Sequence, residues 1–120
     1  MTSEVAKRLF DALEAARRIQ EFIGDKGADQ YARDALLRSA VERQFEIIGE
    51  ALGRAGALDL QVAATVMDLP RIVGLRNRLI YGYDSVDDEI IWDVIESKIL
   101  PLIEQLAVYL KTEGYPTDSS

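Results

Sequence analysis

The chain has 120 residues, enough for one domain around a single core. At 48% hydrophobic and 29% charged it is globular rather than disordered, and a net charge of −7 excludes a generic nucleic-acid binder, which would be basic overall. It has no cysteine and no histidine, which excludes a disulfide framework and a thiolate metal site and argues against a transition metal, so no metal or cofactor is expected.

The first predicted element is a long helix. Val5, Leu9, Leu13, Ala16, Ile19 and Ile23 recur at three- and four-residue spacing, and Phe10 and Phe22 widen the stripe. Ser3 is the expected N-cap, and Gly24-Asp25-Lys26-Gly27 the expected stop. A second helix is expected over residues 29–52, with the stripe Leu37, Val41, Phe45, Ile48 and Leu52, ended by Gly53 and Gly56. Residues 58–68 predict a shorter helix. Pro70 fits the first turn of another, which carries Val73, Leu75, Leu79 and Ile80 and is weakened by Gly82. Asp84-Ser85 predicts a turn, and Asp87 an N-cap, with Asp88 and Glu89 in the first turn where the helix dipole favours anions. The last helix is expected to reach Lys111, with Ile91, Val94, Ile95, Ile99, Leu102, Ile103, Leu106 and Leu110 on its apolar side and a bend at Pro101.

The sum is an all-α fold, a four- to five-helix antiparallel bundle over residues 1–113, with residues 114–120 expected to fray. No apolar run approaches the ~18–20 residues that span a bilayer. The first eighteen residues, MTSEVAKRLFDALEAARR, are charged throughout, so a cytoplasmic protein without membrane contact is expected.

Charge is unevenly spread. Residues 1–68 carry nine basic and twelve acidic side chains, and residues 84–120 carry two lysines against nine acids. Between them, residues 69–83 hold Arg71, Arg76 and Arg78 and no acid. The stretch RNRLIYGYDSVD, residues 76–87, gathers a guanidinium (Arg76), an amide (Asn77) and two phenols (Tyr81 and Tyr83). In a helix Asn77 and Tyr81 share a face, as do Arg76 and Tyr83, and Gly82 lets the backbone turn between the tyrosines. Such a group suits an anionic oxygen, because arginine offers a phosphate a bidentate fork and phenols donate hydrogen bonds. Spacing alone equally allows Arg76 to pair with a carboxylate and both tyrosines to pack under the last helix. Arg43, Glu46 and Glu50 form a charged stripe three and four residues apart. It reads as a solvated face or as a paired-carboxylate site without a third ligand. Ile91 and Trp92 read as core.

The run VGLRNRLIYGYDSVDDEIIWDVI resembles the HEPN superfamily of helical proteins, and within it the HepT-like toxins. Their motif is arginine, four residues, histidine, one residue, tyrosine. Arg76, with polar Asn77 after it, and Tyr83 match; Tyr81 stands at the histidine position. The run AVERQFEIIGEAL, residues 40–52, is similar to the family's second helix. The resemblance implies a ribonuclease toxin of a toxin–antitoxin system that cleaves RNA without metal at a site composed across a homodimer. Arg76 would stabilise charge on the phosphate, with Asn77 and the residue at position 81 beside it, and the stripe Arg43, Glu46 and Glu50 would line the dimer cleft beside Arg76. It also implies a minimal nucleotidyltransferase antitoxin that silences the toxin by transferring AMP to Tyr83. With Tyr81 for histidine, cleavage is expected to be weak or absent. A different class of function, a nucleotide-binding or adaptor module that binds the nucleotidyltransferase and cleaves nothing, also fits these residues.

Overall fold

The computed structural model of the chain describes residues 1–66, 72, 74, 75 and 88–117. Among these residues all regular structure is helical: α1 (Ser3–Ile23), α2 (Ala28–Arg33), α3 (Ala35–Leu58), α4 (Leu60–Thr65) and α5 (Asp88–Thr112). Ile72, Gly74 and Leu75 are also helical. The expected all-α bundle is thus observed. None of the described helices is long and apolar enough to cross a membrane.

Helix α1 is the centre of the bundle and packs along both α3 and α5. Its buried face is Val5, Leu9, Leu13, Ile19 and Ile23 interleaved with Ala6, Ala12, Ala15 and Ala16. The alanines let the neighbouring backbones come close, while the larger side chains interlock with Val41, Phe45, Ile48 and Leu52 of α3 in one core cluster. The N-cap is Thr2 rather than Ser3: the Thr2 hydroxyl accepts from the Val5 N–H at 3.2 Å, and Ser3 is already helical. Gly24 closes the helix at φ 54°, donating its N–H to the Gln20 carbonyl, in a conformation that disfavours any side chain.

The single helix expected over residues 29–52 is two helices. Asp34 breaks it, sitting in extended backbone with its carboxylate accepting from the Leu37 N–H at 3.0 Å. An aspartate that captures a backbone N–H three residues on starts a new helix in preference to continuing the old one. In α2, the Gln30 side-chain oxygen accepts from the Gly27 N–H at 2.9 Å. Helix α3 in turn runs past Gly53 and Gly56 to Leu58. A helical glycine costs only about 1 kcal/mol, and here burial of Ala51, Leu52, Ala55 and Gly56 outweighs it. Asp59 then ends α3 and caps α4, accepting from the Gln61 N–H at 2.9 Å.

Helix α4 spans less than the expected 58–68 and is tied to α5 by the Gln105 amide, which donates to the Thr65 carbonyl at 2.7 Å. Helix α5 is assigned unbroken through Pro101 and buries Ile91, Val94, Ile99, Leu102, Leu106 and Leu110. It ends in a Schellman motif. Gly114, at φ 85°, donates to the Lys111 carbonyl, and Tyr115 donates to the Leu110 carbonyl at 2.9 Å. Beyond it, Arg17 donates to the Thr117 carbonyl at 2.6 Å and the Tyr115 hydroxyl meets the Met1 carbonyl at 3.4 Å. The first residues of the tail expected to fray therefore bond back to the start of the chain.

Candidate functional site

The arginine–tyrosine stretch, with Arg76, Asn77, Tyr81 and Tyr83, lies outside the described residues, as do Asp84, Ser85 and the expected cap Asp87. Its two flanks are described. Leu75 precedes Arg76 and is buried in the core, with Ile72 one turn before it. Asp88 follows residue 87 and opens α5. The twelve residues 76–87 thus leave from an apolar anchor and return to a charged one.

The charged anchor is a cluster built from three helices. Arg38, in the first turn of α3, donates to the Ala32 carbonyl in α2, and its Nε stands 3.9 Å from the Asp88 carboxylate. Glu42 lies one turn further along α3 and is half-buried. Burial raises its carboxyl above the ordinary 4.5, the charges of Asp88 and Glu46 raise it further, and Arg38 opposes them. Tyr31 of α2 completes the group. It is 1% exposed, its ring lies 5.6 Å from that of Trp92 at 39°, and its hydroxyl has no hydrogen-bond partner among the described residues. Burial, then the charges of Glu42 and Asp88, push its phenol above the usual tyrosine range, against Arg38.

Of the stripe expected to line a cleft, Arg43 pairs with Glu46 at 3.1 Å and Glu50 with Arg54 at 3.5 Å. These are the i,i+3 and i,i+4 pairs of a solvated helix face. Glu46 also faces the cluster through its effect on Glu42. Among the described residues no group of three His, Cys, Asp or Glu side chains is placed to hold a metal ion.

Arg38, Glu42 and Tyr31 had no place in the sequence reading. One signal was available: residues 38, 42 and 46 repeat every four positions, so they form a polar row on one side of α3. The Tyr31–Trp92 contact joins residues far apart in sequence and had no such signal. Ile91 is core as expected, whereas Trp92 is only partly buried and covers Tyr31.

Fold and sequence together define an all-α bundle whose chain carries an arginine- and tyrosine-bearing segment between buried Leu75 and the first residue of its last helix. The family "Ribonuclease HepT-like" matches residues 12–109. The chain belongs to this HepT-like ribonuclease family. It is 30% identical over 105 residues to "Putative RNase MJ1380" of Methanocaldococcus jannaschii, covering 88% of this chain and 95% of that protein. It is 30% identical over 108 residues to "Putative RNase MJ0127" of the same organism, covering 90% and 88%. "Putative RNase TTE0752" of Caldanaerobacter subterraneus is 31% identical over 85 residues, 71% of this chain and 75% of that protein. No solved structure matches the chain significantly.

Proposed function

We propose that the chain is the ribonuclease toxin subunit of a toxin–antitoxin pair, acting in the cytoplasm, with its chemistry weakened or abolished by Tyr81. The observation that carries this reading is the family match over residues 12–109 together with Arg76-Asn77 and Tyr83 at motif spacing in a chain without histidine. Residues 1–113 act as one domain. Two copies associate so that their segments 76–87 form one composite site, which also concentrates the local positive charge that a single acidic chain lacks.

In this reading Arg76 holds the scissile phosphate and stabilises the charge that develops on it, and Asn77 orients the same group. Arg43, Glu46 and Glu50 line the approach to it. Cleavage needs a group that removes a proton from the ribose 2′-hydroxyl and returns one to the leaving 5′-oxygen. Imidazole does this near neutrality, titrating at about 6.5, but a phenol titrates at about 10 and at pH 7 is roughly 0.1% ionised. Losing general acid–base help lowers rates by about 10²–10⁴. Tyr83 is the acceptor for AMP from a minimal nucleotidyltransferase antitoxin, and a bulky anion there would compete for Arg76 and block RNA.

The test is Tyr81→His, which is expected to raise cleavage of a mixed RNA panel by about 10² or more, with the gain lost on Arg76→Ala. Efficient cleavage by the chain with Tyr81 in place would refute the role given to that position. The absence of any histidine also favours a second reading, a binding module for the nucleotidyltransferase that holds a nucleotide phosphate and cleaves nothing. Nucleotide binding by Tyr81→His without RNA cleavage would select it.

A further inference from the structure

We propose that Arg38 is a positioning residue for the active segment, fixing the point at which residues 76–87 hand over to α5. The inference rests on the ribonuclease reading above and assigns a role to a residue remote from the motif in sequence.

Three observations meet at Arg38. Its guanidinium joins helices that are separate in the chain: it donates to Ala32 of α2, projects from α3, and faces Asp88, the first residue of α5. Helices α3 and α5 each pack along α1, and α2 touches both of them. The Arg38 side chain is therefore a direct link between α3 and the end of α5 from which the active segment departs. Second, Arg38 lies among carboxylates. Glu42 and Asp88 repel each other across the α3–α5 gap, Glu46 adds to the repulsion, and Arg38 opposes it. Third, the site is shielded on one side only. The Arg38 and Asp88 side chains are 27% and 42% exposed, Glu42 is half-buried, and Tyr31 closes the inner side with a hydroxyl that no described residue satisfies. Solvent keeps the Arg38–Asp88 contact modest, so its role is to set a position rather than to add much stability.

Without Arg38, Glu42 and Asp88 would face each other unscreened by a cation of α3. The first turn of α5 would move away from α3, taking the end of the active segment with it. The rest of the bundle would be little affected, because its core is formed by α1, α3 and α5 residues elsewhere. A displacement of about 1 Å in a reacting group is enough to lower a rate as much as 10²-fold, so a local shift of this kind shows in turnover before it shows in folding.

The experiment uses the full chain with Tyr81→His as parent and compares Arg38→Ala, Arg38→Lys and the pair Arg38→Ala/Glu42→Gln. In Arg38→Ala the backbone amides of residues 92–95, in the second turn of α5, are expected to exchange about fivefold faster with solvent deuterium. Amides of residues 12–19 in α1 should be unchanged. RNA cleavage should lose roughly tenfold in kcat with KM held. Arg38→Lys should keep part of both, since an ammonium reaches one acceptor rather than two. Adding Glu42→Gln to Arg38→Ala should restore most of the protection and turnover, because it removes one of the repelling charges. A side chain that merely filled space would show no such rescue.

Unchanged exchange at 92–95, equal acceleration in α1, failure of the Glu42→Gln rescue, or unaltered kcat in an active parent would each overturn the proposal. If the Tyr81→His parent proves inactive, the ribonuclease reading fails by itself, and the exchange and rescue arms still decide whether Arg38 holds the start of α5.

Discussion

Replacing Tyr31 with phenylalanine is expected to stabilise the protein, which is the reverse of what a buried tyrosine normally predicts. The ring of Tyr31 is 1% exposed and fully inside the core cluster, so Phe keeps its volume and its 5.6 Å contact with Trp92. What Phe removes is a hydroxyl with no partner among the described residues, lying near the carboxylates of Glu42 and Asp88. An unsatisfied buried hydroxyl carries a desolvation penalty of about 1–3 kcal/mol, whereas a satisfied one contributes about 1 kcal/mol. The two cases differ in sign. Taking the low end, Tyr31→Phe should gain about 1 kcal/mol, which for a chain of this size raises Tm by roughly 3–5 °C. Tyr31→Ala should instead lose about 3–5 kcal/mol, as for other large aromatic truncations. The assay is urea denaturation followed by tryptophan fluorescence, since Trp92 is the single tryptophan and lies against the altered ring. The phenol is pushed above its ordinary range, so it stays protonated in the folded protein through neutral pH, and the gain should be flat between about pH 6 and 9. A lower urea midpoint for Tyr31→Phe at unchanged slope would refute the reasoning, because it would mean that the hydroxyl is bonded.

Two further changes test the same end of the bundle. Asp34→Ala removes the carboxylate that caps α3 and should cost about 1 kcal/mol, seen as a Tm lower by roughly 3–5 °C, with Asp34→Ser recovering most of it. Glu42→Gln should stabilise at pH 8 and gain nothing at about pH 4: a folded-state value raised above 4.5 means that the contribution of Glu42 to stability is most favourable below 4.5 and is lost as pH rises through the raised value, and a permanently neutral amide escapes that loss. Equal stability of Glu42→Gln and wild type across this range in urea titrations would show that the cluster does not hold Glu42 in strain.

What the sequence disclosed follows the range of the forces involved. The apolar stripes of α1, α3 and α5 were legible because burial imposes a local period: Leu9, Leu13, Val41, Phe45, Leu102 and Leu106 were expected on inward faces and are buried. The boundaries were less legible because they depend on competitions of about 1 kcal/mol. Asp34 won against helix continuation through a single captured N–H, while Gly53 and Gly56 failed to stop α3 because the core behind them was already paired. At the candidate site the motif residues were named from their resemblance to a family motif, but the charged cluster at the start of α5 was missed. Arg38, Glu42 and Asp88 come from helices separated by the active segment itself, and Tyr31 meets Trp92 across some sixty residues. Only tertiary packing places them together, and no local period announces it.

The two described flanks of residues 76–87 are held by forces of different character. Ile72 and Leu75 are fixed by burial, at 3% and 6% exposure, and a buried leucine or isoleucine contributes about 1.5–3 kcal/mol with little dependence on salt or on pH near neutrality. Asp88 is held by a 3.9 Å charge contact to a partly exposed arginine, of the kind that contributes about 0–1 kcal/mol and weakens as salt shortens the screening length. Acidity acts there through Glu42, whose protonation relieves the repulsion that Arg38 opposes. Ionic strength and mild acid should therefore loosen the start of α5 while Ile72 and Leu75 stay buried. Under the proposed ribonuclease reading, binding through Arg76 and turnover through the residues nearer α5 should then respond differently to the same change in the medium.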